Sequence, residues 1–229
     1  MSDIYTNRKY LIFPTSELNK VDFSQVHETS VDTVRKSVNL QKTFVKWDGD
    51  TPSFVSSIVG SEGPYNHTDG YFTFDGIDDN AYLISWSWPA TASVSFFVYP
   101  INSVGSTYGR MMSTGNGDGF EIAIDTSNRV SYYTPTNSWQ NQIVTLNNNW
   151  NLLTFSQSGT SVTVYKNDTV AYTGSLTTTA GLTMYLGNRY TGGEPSNVRI
   201  SNFLVYNRTL TQSDVTQNYN ATKTRFGLI

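Results

Sequence analysis

From Tyr71 to Tyr206 the chain is a succession of short runs rich in β-branched and aromatic residues, each closed by turn-forming residues. The runs fall at 72–74, 81–84, 93–99, 110–113, 120–124, 129–133, 150–157, 161–166, 170–175, 182–187 and 197–206. No helical period interrupts them. Strands at this spacing cannot bury their apolar faces singly, so a sandwich or barrel is the expected solution. Gly70–Leu83 (GYFTFDGIDDNAYL) opens the set: Phe72 and Phe74 alternate with Thr73, turn chemistry follows, and Ala81–Ile84 is expected to return as a hairpin strand.

The end of the chain is different. Thr211-Gln212-Ser213-Asp214 resembles a capping box with Asp in the Glu position, and Leu210 and Val215 stand where a hydrophobic staple places them. Val215 and Tyr219, four apart, are expected on the packed face of a short helix.

Charge density marks a boundary. Residues 1–70 hold 7 Lys/Arg and 9 Asp/Glu, whereas 71–229 hold only 8 and 9 across more than twice the length. We therefore read 1–57 as a β-rich N-terminal module, 58–69 as a Gly/Ser/Pro linker and 70–229 as the sandwich. In the first part, strands are expected at 10–13, 43–47 and 52–56, with another candidate at 23–29. Residues 33–38 fit both a helical stripe and one strand face, and the strand is favoured because another strand follows closely.

Several classes are disfavoured. A net charge of −3 gives no footprint for nucleic acid or an anionic membrane. Without cysteine there are neither disulfides nor thiolate metal sites. No apolar run approaches the roughly 20 residues of a membrane helix, and the charged start carries no secretory signal. Synthesis in a cytoplasm without membrane insertion is the expectation.

The segments FTFDGIDDNAYL (72–83), SVSFFVYP (93–100), WNLLTFSQSGTSVTVYKND (150–168), MYLGNR (184–189) and VRISNFLVYNRTLTQSDVTQNYNATKTRFG (198–227) resemble the laminin-G-like branch of the concanavalin A-like jelly roll. The resemblance spans nearly all of 70–229. It implies an all-β fold, an antiparallel jelly-roll sandwich, with 72–76 beside 200–206. Residues 32–57 with EGPY at 62–65 resemble a small module of tailed-bacteriophage structural proteins, and tails like 198–227 recur in such proteins. Together they imply a virion structural protein, such as a capsid decoration, head fibre or tail-associated adhesin, whose partners are other virion proteins and host cell-surface glycans. Homo-oligomerisation follows as an expectation from the symmetry of an attachment site.

The resembled fold includes glycoside hydrolases, which flank the scissile bond with paired carboxylates. Glu121 and Asp125 share one strand face, but Ala123 stands where a middle carboxylate belongs, and no enzyme activity is expected. The only histidines, His27 and His67, lie outside the sandwich. No resident cofactor is expected. The candidate Ca²⁺ set is Asp75, Asp78, Asp79 and Asn80, all oxygen donors that also suit a tight turn. The candidate glycan set is Trp86, Trp88, Tyr132, Trp139 and Tyr190, since sugar C–H faces stack on aromatic rings. Trp86 and Trp88 alternate with serines on one face, while Tyr132, Tyr133, Trp139 and Tyr190 are expected in or beside the loops 132–141 and 188–197. With 32 aromatic residues in the chain, most must be core, and Trp86, Trp88 and Trp150 are also candidates for it.

Overall fold

The computed structural model describes side chains at residues 71–77, 79, 81, 90–101, 108–115, 119–178, 184–190 and 192–229. It describes the backbone alone for the strands at 8–13, 43–47, 52–54, 57–59 and 65–66 and for 80, 82 and 83. In chain order the strands are β1 (Arg8–Phe13), β2 (Thr43–Trp47), β3 (Pro52–Phe54), β4 (Ser57–Val59), β5 (Tyr65–Asn66) and β6 (Phe72–Asp75). There follow β7 (Asn80–Leu83), β8 (Thr91–Pro100), β9 (Tyr108–Thr114), β10 (Glu121–Asp125), β11 (Arg129–Thr134) and β12 (Ser138–Thr145). The last are β13 (Asn151–Ser158), β14 (Ser161–Lys166), β15 (Thr169–Ser175), β16 (Met184–Leu186) and β17 (Asn197–Tyr206), before helix α1 (Gln212–Thr222) and a 3-10 turn, Lys223–Phe226.

Two antiparallel sheets form a sandwich. The larger runs β15-β14-β13-β8-β17-β1-β2-β3, with β6 also on β17 and β5 on β6; the smaller runs β12-β11-β10-β9-β16-β7-β4. Period-two alternation decides which residues meet between them. Val94, Phe96 and Val98 of β8, Leu153 and Phe155 of β13, and Ile122, Tyr132 and Leu186 of the smaller sheet all join one buried cluster. The fold is thus the all-β jelly roll expected. Short strands at 57–59 and 65–66 occupy part of the stretch expected as linker. The strand candidates at 23–29 and 33–38 lie outside the described residues.

One expectation is corrected. Residues 72–83 do not form a hairpin: β6 pairs with β17 in the larger sheet, while β7 pairs with β16 in the smaller. The turn between them is a corner that carries the chain from one sheet to the other. Phe72 and Phe74 on one side and Ala81 on the other all face the shared core, which leaves the strands no common edge. The pairing with the terminal strand is found, but at 197–200. Residues 203–206 instead pair with β1. Asn202, with φ of 48°, marks the break between the two halves of β17, where the register against β8 also shifts.

Helix α1 packs on the outer face of the larger sheet. Thr211 Oγ1 accepts from Asp214 N (3.2 Å) and Asp214 Oδ2 accepts from Thr211 N (2.8 Å), completing the capping box. Such a cap contributes about 1 kcal/mol. Leu210 and Val215 are buried together, as a staple requires. The buried hydroxyls of Ser93 and Ser156 accept from Leu210 N at 3.0 and 2.8 Å, so polar groups beneath the helix entry are satisfied. Phe226 stacks on Phe97 at 3.9 Å and tilts against Trp150, closing the chain end on the sheet.

Candidate functional site

The smaller sheet turns its other face outward. Trp139, Tyr133, Glu121, Ser113 and Tyr185 lie opposite one another across β12, β11, β10, β9 and β16. Their chain neighbours Tyr132, Ile122, Met112 and Leu186 point into the core. Trp139 packs against Tyr133 (5.3 Å between ring centres) and stacks on Tyr108 (5.7 Å, 22° between planes). All three rings are partly exposed. They make an aromatic shelf carried by β9, β11 and β12.

Arg110 closes the shelf. It lies across β9–β10 from Ala123, whose methyl group sits on the same row. The Arg110 guanidinium is 4.7 Å from the Trp139 ring centre. Its Nε donates to Glu121 Oε2 (2.7 Å), Nη1 to the Tyr108 carbonyl (2.7 Å), and Nη2 pairs with Glu194 Oε2 (2.9 Å). Arg189 donates from Nε to Glu121 Oε1 (3.2 Å), pairs through Nη1 with Glu194 Oε2 (3.3 Å), and lies over Tyr190. Burial opposes the charge on Arg189, but the Glu121 and Glu194 carboxylates outweigh it and hold its pKa above the ordinary value. Two cations and two anions form a closed quartet in which Arg110 and Glu121 are deeply buried and Arg189 and Glu194 form the rim.

The loop carrying the rim is fixed by its backbone. Gly187 takes a φ of +80°, where a Cβ would lie 2.0 Å from the Phe74 ring. The Asn188 side-chain oxygen then accepts from Arg189 N (2.8 Å) and Glu194 N (3.2 Å). Arg110 N donates to the Glu194 carbonyl (2.9 Å), and Gly109 leaves room for Pro195 and Ser196 to lie on β9.

The expected site residues separate. Trp139 is on the shelf, in β12 and not in a loop. Tyr190 sits beside it, under Arg189. Tyr132 is corrected: it is fully buried, its hydroxyl donates to the Ser175 carbonyl (2.7 Å), and burial raises its pKa well above the usual tyrosine range, with Tyr172 adding to the shift. A core ring cannot stack on a sugar. Trp86 and Trp88 lie outside the described residues, and Trp150 is half-buried beside Phe226. Sequence reasoning missed Tyr108, Arg110, Arg189 and Glu194 as a group. An arginine beside two methionines in a charge-poor strand was the available signal, because a buried cation needs a partner.

The carboxylates expected for catalysis or Ca²⁺ are engaged in internal bonds where they are described. Both oxygens of Glu121 are taken by guanidinium groups. Asp125 Oδ1 accepts from Ser127 N and Arg129 N, each at 2.9 Å, and Oδ2 from Arg129 Nε at 2.7 Å. In the 75–79 corner, Asp79 Oδ2 accepts from Asp75 N (3.1 Å) and Asp75 Oδ1 from Ile77 N (2.8 Å), so both carboxylates brace the turn. Asp78 and the Asn80 side chain lie outside the described residues, and among those described no group of three acids or histidines could hold a metal.

No curated protein sequence matches the chain. Among solved structures, the receptor-binding domain of botulinum neurotoxin D is similar at 13% identity and a TM-score of 0.56, covering 78% of this chain and 50% of that one. The binding domain of Paraclostridial Mosquitocidal Protein 1 is similar at 14% identity and a TM-score of 0.55, covering 81% and 52%. The heptameric SAP-like pentraxin from Limulus polyphemus is similar at 15% identity and a TM-score of 0.51, covering 65% and 81%. The chain spans about half the length of the toxin binding domains, and at these identities the likeness is one of fold. The family model of the concanavalin A-like lectin/glucanase superfamily matches residues 66–216, and with the two-sheet jelly roll this makes the chain a member of that superfamily.

Proposed function

We propose that this chain is a non-enzymatic recognition module carried on the outside of a bacteriophage particle, and that its sandwich binds saccharide on the Trp139 shelf. The observation that carries the recognition half is the shelf itself: three partly exposed rings, Tyr108, Tyr133 and Trp139, beside charged hydrogen-bonding groups on the smaller sheet. Rings supply faces for sugar C–H groups, and Arg189 and Glu194 at the rim offer a donor and an acceptor for hydroxyls. The engagement of Glu121 and Asp125 in internal bonds supports binding without turnover.

The virion half is supported by sequence resemblance at 32–57 and 198–227. In this reading residues 1–57, whose strands β1, β2 and β3 continue the larger sheet beyond β17, dock on capsid, neck or tail, and about 800 Å² per partner is sufficient for stable docking. Repetition of the attachment site makes the protein a homo-oligomer, a habit shared by the heptameric pentraxin neighbour.

Two measurements test the proposal. Mass spectrometry and electron microscopy of purified particles are expected to find the protein on the outer surface; absence from particles defeats the virion half. Screening the purified protein against immobilised saccharides and following polysaccharide chain length are expected to show binding without cleavage. Shortening of any polysaccharide by the purified wild-type protein would overturn the non-enzymatic reading.

A further inference from the structure

We infer that the saccharide accepted at the Trp139 shelf is uncharged, and that Glu194 enforces this by completing the charge balance of the rim. The inference rests on the recognition reading and narrows it. Arg110 and Arg189 bring two positive charges to the site, and Glu121 and Glu194 bring two negative ones. Every one of these ion pairs stays within the quartet. Arg110 has Nε, Nη1 and Nη2 all engaged, and its side chain is 4% exposed, so it has no free fork for a carboxylate of a ligand.

Only the rim meets a ligand. Arg189 is 33% and Glu194 32% exposed, and they hold each other at 3.3 Å. A uronic or sialic acid carboxylate arriving at Arg189 meets a guanidinium whose Nε is given to Glu121 and whose Nη1 faces Glu194, so it comes to lie beside the Glu194 carboxylate, a like-charge contact in a partly desolvated place. A sugar hydroxyl meets no such conflict. It donates to the Glu194 carboxylate or accepts from Arg189, and either bond leaves the ion pair in place. Neutral pyranosides therefore satisfy the rim, and acidic ones are refused by it.

The balance can be tipped in both directions without touching the rings. Glu194→Gln leaves two guanidiniums with one carboxylate, while the Glu194 carbonyl that accepts from Arg110 N and the backbone N–H bound to Asn188 are retained. Arg189→Gln leaves two carboxylates with one guanidinium. The test is a binding series on full-length protein with matched oligosaccharides that differ only in a neutral hexose or its uronic acid counterpart, at low and at physiological ionic strength. Wild type is expected to bind the neutral member about tenfold or more tightly. Glu194→Gln is expected to erase that preference, most visibly at low salt, and Arg189→Gln to widen it. Thermal unfolding of each variant identifies any loss of fold. Equal or tighter binding of the acidic member by wild type overturns the inference and leaves the recognition reading standing, as does an unchanged ratio in the folded variants. Failure to bind any member contradicts the recognition reading and the inference with it.

Discussion

Arg110 presses its guanidinium against the indole of Trp139 at 4.7 Å while remaining almost wholly buried. The contact joins the ion-paired interior of the smaller sheet to its aromatic surface. A cation over an indole face contributes about 0.5–2 kcal/mol, more when desolvated, and it fixes the ring that the proposed ligand would meet.

Removing the partner of that cation is expected to harm the fold before it harms binding. Glu121→Ala leaves Arg110 buried with only the rim carboxylate of Glu194 beside it. Loss of one member of a buried pair costs about 3–5 kcal/mol. Urea unfolding should show a midpoint far below wild type, whereas Glu121→Gln, which keeps a hydrogen-bond acceptor, should lose less.

Gly187→Ala is expected to destabilise by at least about 2 kcal/mol, because the residue has a φ of +80° and its Cβ would enter the Phe74 ring. The loop from Gly187 to Ser196 carries Arg189 and Glu194, so saccharide affinity should fall along with the unfolding temperature. Ala at Gly192, which has open space around it, gives the contrast: strain from its φ of +68° alone and a smaller loss.

Stability should decline at both ends of the pH scale for identifiable reasons. Burial raises the pKa values of Tyr132, Tyr165 and Tyr219. A raised folded pKa means stability that is complete below the unfolded value, about pH 10, and lost as pH climbs beyond it. Asp214 is displaced the other way, chiefly by its hydrogen bonds from Arg208 and then by those from Thr211. Its contribution is present above about pH 4 and is lost as pH falls toward the folded value. Tyr132→Phe should flatten the alkaline limb while costing about 1–3 kcal/mol at neutral pH, since the Ser175 carbonyl loses its donor. Asp214→Asn should flatten the acid limb and cost about 1 kcal/mol through the lost Arg208 ion pair and the weakened cap.

Much of this architecture could be read from local sequence, and the failures have a common cause. The meander from Asn151 to Ser175, the 197–206 strand and the capped helix all rest on signals within a few residues: alternation, turn residues and a capping box. Strand β12 was hidden because Ser138 and Gln142 adopt left-handed φ of 55° and 56°, which breaks its alternation. Tyr132 and Tyr133 are adjacent and equally aromatic, yet one is core and one is surface. Only the parity of β11 against both sheets decides between them. The corner at 75–79 carries the chemistry of a hairpin turn, and the destination of its second strand is set by distant partners. The ion quartet likewise joins residues from β9, β10 and the 188–194 loop that no local pattern connects.

The most direct test of the central claim is calorimetric titration of one saccharide, chosen from the immobilised panel, into wild type and Trp139→Ala. Trp139 is partly exposed on an edge strand, so the variant should fold, with an unchanged far-ultraviolet circular dichroism spectrum confirming it. Expected is measurable binding by wild type and a loss of about tenfold or more in affinity in the variant. Equal affinity in the folded variant would contradict the claim that the Trp139 shelf is the binding face.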